Sequence, residues 1–285
     1  MLRPHRTTPV GFLGWTRRSA IAGLLALLAV LAVAPSAMAG KPKGEYAAFN
    51  HCPLGAAGVS QCVYALFSGG KLSLGKLTVP IAQPITLQGG LIVTEKGETF
   101  VNTTEGQTLS VTAEEVPGGL LGLPGHESES SAFSIAMELV GSVTLSRSNL
   151  ATSTGTALKL PVRVHLKNVF LGESCFVGTS ASPITLNLTT GTTSPPKPNT
   201  PITGTSGEHE SKEEGNLVVY KNDSLVENAF SVPTVAKGCG GLNESLIAPI
   251  MNSKYGWPAA AGNNSTVVLN GTTKFANAEA VKKSE

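Results

Sequence analysis

The chain has 285 residues, of which 41% are hydrophobic, 5% aromatic and 14% charged, with 21 Lys and Arg against 19 Asp and Glu. A charge this close to balance removes the global electrostatic case for a nucleic-acid or anionic-membrane partner. The length suffices for one large or two small domains with a buried core.

The first 39 residues read as a secretory signal peptide. Arg3, Arg6, Arg17 and Arg18 form a positive n-region, Ala20 to Ala34 is an unbroken apolar run, and Ala37-Met38-Ala39 supplies the small-x-small cleavage pattern. The run is shorter than the roughly 20 apolar residues a spanning helix needs. Thr16-Arg17-Arg18 hints at twin-arginine export, but the strong hydrophobicity behind it suits the general route better. No Cys occurs before Cys52, and residues 280–285 carry no hydrophobic tail, so neither a lipid-modified N-terminal Cys nor a C-terminal anchor is expected. Cleavage removes four basic residues and no acidic ones. The mature part, residues 40–285, then has 17 basic against 19 acidic residues, a net of −2. The expected location is secreted, with no integral membrane anchor after cleavage.

Four cysteines remain: Cys52, Cys62, Cys175 and Cys239. An even number in an oxidising compartment points to two disulfides. Of three connectivities, Cys52–Cys62 with Cys175–Cys239 is favoured. The first closes a short loop in which Gly55 and Gly58 allow a turn; the second closes a long one. Each is worth about 2–4 kcal/mol. A zinc site is disfavoured because there are no close Cys pairs and no His at ligand spacing.

In chain order, Val63, Ala65 and Phe67 alternate with polar neighbours, run into Ser68-Gly69-Gly70-Lys71, and resume at Leu72 and Leu74, which predicts a hairpin. The stretch 116–125 is apolar yet full of Gly and Pro, and predicts a loop. Phe133, Ile135, Met137 and Leu139 alternate, with Val143 and Leu145 continuing. Phe133, Ala136, Met137 and Val140 also fit helical spacing, but the longer alternation favours strand. From Leu158 to Lys167, Leu158, Leu160, Val162, Val164 and Leu166 share one face, and Lys159, Arg163, His165 and Lys167 the other. Pro161 cannot donate to a ladder, so this strand is expected at an edge or bulged. Short strands follow at 184–188, 217–220 and 266–269, with a proline-rich extended loop at 194–201. A helix is predicted over Leu242 to Met251, with Leu246, Ile247, Ile250 and Met251 on one face, Asn243 able to cap its start and Pro249 kinking or shortening it. The fold class is all-β, an antiparallel β-sandwich or barrel with one or two short helices, in a single secreted domain over residues 40–285.

Catalytic signals are sparse. The chain contains one Asp, Asp223, in a turn-like Lys221-Asn222-Asp223-Ser224, so an Asp-rich calcium site cannot be built and a Ser-His-Asp triad has only that residue or a Glu to draw on. No Gly-x-Ser-x-Gly elbow and no phosphate-cradling Lys motif occurs. His165 is expected to be exposed on the polar strand face, and His51 to pack near the Cys52 bridge. His126 and His209 lie in loops beside Glu127 and Glu210, the latter in a charged run at 208–214 that suits a solvated hairpin tip. The doublets Glu114-Glu115 and Glu213-Glu214 point to opposite faces of a strand and so make no acid pair for glycoside hydrolysis. No metal or cofactor is expected.

Three features suit binding. Lys159, Arg163, His165 and Lys167 form a basic face for an anionic cell-wall polymer, unless it is only a solvated face. Tyr255-Gly256-Trp257-Pro258 offers rings to a ligand, unless the loop anchors in the core. Leu120, Leu121 and Leu123 make a partner or membrane contact if exposed, or tuck under a sheet edge. Asn-x-Ser/Thr sequons occur from Asn102 to Asn270, and chance explains many in so Asn- and Thr-rich a chain.

The blocks Cys52-Pro53-Leu54 with Gln61-Cys62-Val63-Tyr64-Ala65, residues 85–90 (ITLQGG), residues 116–122 (VPGGLLG), and Gly238-Cys239-Gly240-Gly241 resemble those of uncharacterised secreted β-rich proteins of actinobacteria. The resemblance spans most of the mature chain. It implies bacterial export, which makes the sequons incidental, and brings no activity or catalytic residue. The function expected is therefore a non-catalytic secreted or envelope-associated binding or structural protein, partnered by a cell-wall polymer or another protein. An extracellular hydrolase using a Glu or Ser with a loop His is the alternative, and an oligomeric envelope pore a weaker one.

Overall fold

A computed structural model describes residues 40–104, 106–122, 125, 131–235 and 238–285. The signal-peptide expectation, His126, Glu127 and Leu123 lie outside these residues.

The chain first lays down β1 (Gln61–Phe67), β2 (Gly70–Leu74), β3 (Leu77–Pro80), β4 (Ile85–Thr94), β5 (Gly97–Asn102) and β6 (Leu109–Val111). It then builds a second sheet from β7 (Glu114–Glu115), β8 (Ser134–Leu139), β9 (Thr144–Leu145), β10 (Leu158–Lys167), β11 (Phe176–Val177) and β12 (Ile184–Leu188), with the short helix α1 (Arg147–Thr152) between β9 and β10. It returns to the first sheet with β13 (Glu208–Lys212), β14 (Leu217–Glu227) and β15 (Asn264–Asn277); α2 (Glu244–Tyr255) precedes β15 and α3 (Ala278–Lys283) follows it. The first sheet is ordered β13-β14-β15-β1-β4-β5, with β2 on β15 and β3, and β6 on β4. The second is ordered β11-β10-β8-β7, with β12 and β9 also on β10. The pairings are antiparallel. The arrangement is sandwich-like, and the described residues form no closed barrel.

The alternation places the core. All five apolar residues of β10, Leu158 to Leu166, are buried, and they share one cluster with Val63, Ala65 and Phe67 of β1 and Ile85, Leu87 and Leu91 of β4. A smaller cluster of Phe49, Leu217, Val219, Ala276 and Val281 lies under α3. The side chain of Asn277 starts α3 by accepting from the N–H groups of Glu279 and Ala280. Both disulfides form with the favoured pairing. Cys52–Cys62 spans 5.5 Å between Cα atoms and Cys175–Cys239 spans 4.2 Å.

Four local expectations are corrected. First, β1 and β2 do not form a hairpin. Both run along the same flank of β15, β1 against Thr272–Asn277 and β2 against Asn264–Val268, so they are one line of strand broken at Ser68-Gly69. Gly70 permits the break: its φ is 127°, and a Cβ there would sit 1.9 Å from the Val267 carbonyl oxygen. Secondly, β10 is central, paired on both flanks. Pro161 is tolerated because the neighbouring strand breaks beside it. Its carbonyl accepts from Val140 N–H, just past the end of β8, so its missing N–H falls in the gap before β9.

Thirdly, α2 is rotated and longer than expected. Ile247, Met251 and Tyr255 face the core, whereas Leu242, Leu246 and Ile250 are exposed. The rotation follows Tyr255, whose ring stacks on Phe133 at 5.9 Å and lies 5.0 Å from Trp257. Asn243 makes no side-chain cap; the Glu244 carboxylate instead accepts from Gly238 N–H at 2.9 Å. Pro249 is exposed within the helix and removes one hydrogen bond without ending it; the helix stops at Gly256, φ 68°. Fourthly, Lys221–Ser224 is not a terminal turn. It lies inside β14, where two register shifts and Asn222 at φ 59° let the strand bulge past β15.

Candidate functional site

The outer face of the second sheet is set by the register around β10. Directly opposed residues of antiparallel strands share a face, so three rows form. Glu138 opposes Arg163; Ala136 and Phe176 flank His165; Glu115, Ser134 and Lys167 line up across β7, β8 and β10. The doublet Glu114-Glu115 splits as strand alternation requires. Glu114 turns inward and accepts from Gln83 N–H at 2.6 Å, while Glu115 turns outward.

Glu138 organises this face. One carboxylate oxygen accepts from Arg163 Nε at 2.9 Å and lies 2.7 Å from a terminal guanidinium nitrogen; the other lies 3.3 Å from His165 Nδ1. The Arg163 guanidinium sits 3.9 Å over the Phe176 ring, and the His165 ring centroid is 4.4 Å from that of Phe176. His165 is thereby covered, with 8% of its surface exposed, which corrects the expectation of a solvated histidine. An ionised carboxylate only accepts, so the hydrogen of this contact sits on Nδ1. Nε2 is buried and has no hydrogen-bond partner.

Beside His165 opens a cleft of about 520 Å³, lined among others by Glu115, Phe133, Ser134, Lys167, Val169 and Glu173. It exists because β7 and β11 are only two residues long and leave the end of β10 uncovered. The loop after β10 forms one wall. Asn168 Nδ2 donates to Ala132 O at 2.7 Å, and buried Leu171 accepts from Gly240 N–H through its carbonyl at 2.7 Å, so Val169 and Phe170 are pushed outward, 73% and 60% exposed. The ion pairs among the described residues involve none of Glu115, Lys167 and Glu173.

The basic stripe is therefore divided. His165 and Lys167 reach the cleft, Arg163 is neutralised by Glu138, and exposed Lys159 lies at the far end of β10 opposite Thr144 and Asn187. The ligand reading of Tyr255 and Trp257 is corrected by burial. They are 5% and 4% exposed, Trp257 Nε1 donates to Leu74 O at 3.0 Å, and burial pushes the Tyr255 hydroxyl up to about 12. Leu120 packs against the core and Leu121 is exposed, so their loop does both things expected of it. His209 rests on Tyr220 at 5.4 Å between centroids in the exposed β13, where Glu210 pairs with Lys221 at 2.5 Å.

Sequence reasoning missed Glu138, Phe176 and Glu173. Glu138 had one weak signal, as the sole charge among the outward positions of β8. A second polar feature lies away from the cleft. Asp223 is fully buried, accepts from Thr273 Oγ1 at 2.7 Å through Oδ2, and leaves Oδ1 without a partner. Gly271 makes room for it, since a Cβ there would lie 2.4 Å from Oδ1. Burial pushes this carboxyl from the ordinary 3.8 to about 6.

Among the described residues no cluster of three His, Cys, Asp or Glu suits a metal ion, and no helix is long and apolar enough to cross a membrane. No protein-family model, no curated protein and no solved structure matches this chain.

Proposed function

We propose that this is a secreted or cell-envelope-associated binding protein, a disulfide-stapled β-sandwich that acts without catalysis and takes its ligand in the cleft beside His165. The observation that carries the reading is a preformed cleft whose charged side chains, Glu115, Lys167 and Glu173, take part in no ion pair among the described residues. Polar groups converging in a concave site are the general mark of ligand binding. The leader and the resemblance to secreted actinobacterial proteins support an extracellular setting, and the two disulfides are compatible with it. The wall polymer expected from the basic stripe becomes a less acidic one, because Glu138 neutralises Arg163 and the carboxylates of Glu115 and Glu173 share the cleft lining with Lys167.

The hydrolase reading moves from the loop histidines to the Glu138–His165 pair, which has the orientation of a general base held by its carboxylate. What it lacks is a nucleophile, because no hydroxyl among the described residues reaches His165 Nε2. Co-sedimentation of the mature protein with isolated cell walls, combined with analysis of the supernatant, separates the readings. Saturable retention without soluble fragments is expected. Release of fragments, or no retention on any wall or glycan fraction, overturns the proposal.

A further inference from the structure

We propose that the exposed face of α2 is a homodimer interface, on which a second copy of this chain packs about a two-fold axis; this goes beyond the cleft and does not rest on it. The solvent side of this helix is uncharged. Leu242, on the short turn that leads into α2, and Ser245, Leu246, Pro249, Ile250 and Ser253 are all exposed. The helix has two charged residues, and both are held by the protein's own backbone: Glu244 accepts from Gly238 N–H, and Lys254 Nζ donates to Leu120 O. The contrast is α3, whose exposed positions Glu279, Lys282 and Lys283 all carry charge, as a solvated face does.

Apolar side chains extend this face at both ends. The Leu171 carbonyl accepts from Gly240 N–H, and Cys175–Cys239 ties the same two segments, so exposed Val169 and Phe170 are held beside the start of α2. Lys254 fixes Leu120 at the other end, and exposed Leu121 with it. Leu242 is fully exposed, and Leu121, Val169, Phe170, Leu246 and Ile250 are half exposed or more. Together they present on the order of 700 Å², close to the roughly 800 Å² that each partner gives to a stable interface of standard size.

The relief of the face selects a second copy as the occupant. Side chains four positions apart on a helix line up as a ridge. Leu242, Leu246 and Ile250 make one row of large residues. Ser245, Pro249 and Ser253, each three positions further on, make a parallel row of small ones. A high row beside a low row of equal length is complementary to itself, which is what a two-fold interface needs. An axis lying between the rows and along them sets Leu242, Leu246 and Ile250 of each copy over Ser245, Pro249 and Ser253 of the other. The two helices then cross at about 50°, the commonest packing of four-spaced ridges. A charge near such an axis would meet its like from the other copy, and this face carries none. A lipid surface requires no matching of rows.

The test is sedimentation velocity of the mature protein over a concentration series, with flotation on vesicles of phosphatidylcholine and phosphatidylglycerol alongside. The wild type is expected to be a dimer with a micromolar or tighter dissociation constant. Leu246→Glu should weaken it on the order of a hundredfold, because each substitution removes two leucines from the interface. Ser253→Phe adds apolar surface but fills the low row, so it should weaken the dimer about tenfold. Leu269→Glu, at an exposed apolar position of β15 outside this face, should leave it unchanged. Circular dichroism checks each fold, and if Leu246→Glu fails to fold, Leu242→Glu at the fully exposed position takes its place. A protein that stays monomeric up to ~100 μM overturns the inference, and flotation of that monomer assigns the face to lipid instead. A dimer that Leu246→Glu leaves intact overturns it too, by placing the interface elsewhere. So does one that Ser253→Phe leaves as it is or strengthens, because the face is then merely apolar and its rows do not interlock.

Discussion

Asp223 gives the sharpest quantitative test of the structure. Its carboxyl is raised from 3.8 to about 6 by burial, against hydrogen bonds from Thr273 Oγ1 and from backbone N–H groups that act the other way. A carboxyl raised on folding binds its proton more tightly in the native state. The stability this contributes is fully present below pH 3.8 and is lost as the pH rises through about 6. The shift of some two units, at about 1.36 kcal/mol each, sets the loss at roughly 3 kcal/mol. Asp223→Asn removes the titration while keeping a carbonyl for Thr273. Its amide nitrogen then lies near Gly271 without a partner, which is a constant offset at all pH values. Glu227, also raised by burial, titrates in both proteins and cancels. Urea unfolding from pH 3.5 to 7.5 should therefore show the variant gaining on the wild type by about 3 kcal/mol, steepest near pH 5 at roughly 1.2 kcal/mol per pH unit. Parallel stability curves across that range would refute the burial argument.

Three further outcomes concern covalent and steric constraint. Thiol titration of the denatured, unreduced protein should find no free Cys. Removing Cys175–Cys239 should cost about 1.5 kcal/mol more than removing Cys52–Cys62, because its sequence separation is 64 against 10; equal losses in chemical unfolding would contradict this. Gly70→Ala should destabilise by about 2–3 kcal/mol, since its Cβ meets the Val267 carbonyl. Gly97→Ala, at a similar φ with open space around it, should cost only about 1 kcal/mol, and a melting comparison that reverses the order would show that contact does not set the cost.

The strands were legible because burial and alternation coincide. Every apolar residue of β10 faces inward, and β12 spans the expected 184–188. What failed was pairing. Two glycines between alternating segments mean a hairpin only if the chain reverses, and whether it reverses at Ser68-Gly69 depends on β15, far away in sequence. Pro161 was misjudged for the same reason, since the break that accommodates it belongs to the neighbouring strand. The cleft was legible only in fragments. Lys167 and His165 were on the right face, but Glu138, Glu115 and Phe176 join them through register, which no local pattern records. Tyr255 is drawn inside by stacking with Phe133, a contact between segments more than a hundred residues apart, and Trp257 follows by packing on Tyr255 and donating to Leu74 O.

The position of β15 has a kinetic consequence. This 14-residue strand, late in the chain, is the neighbour of β1, β2 and β14 together, and Gln61 finds its partner at Asn277. Until Asn264 to Asn277 has been synthesised, the first sheet has no middle, and everything made before it waits with unpaired strand edges. Pairings that span nearly the whole chain are slow to close. A chain that cannot finish its main sheet on the ribosome stays threadable until its last strand arrives, which is the state a protein needs if it is to cross a membrane before it folds.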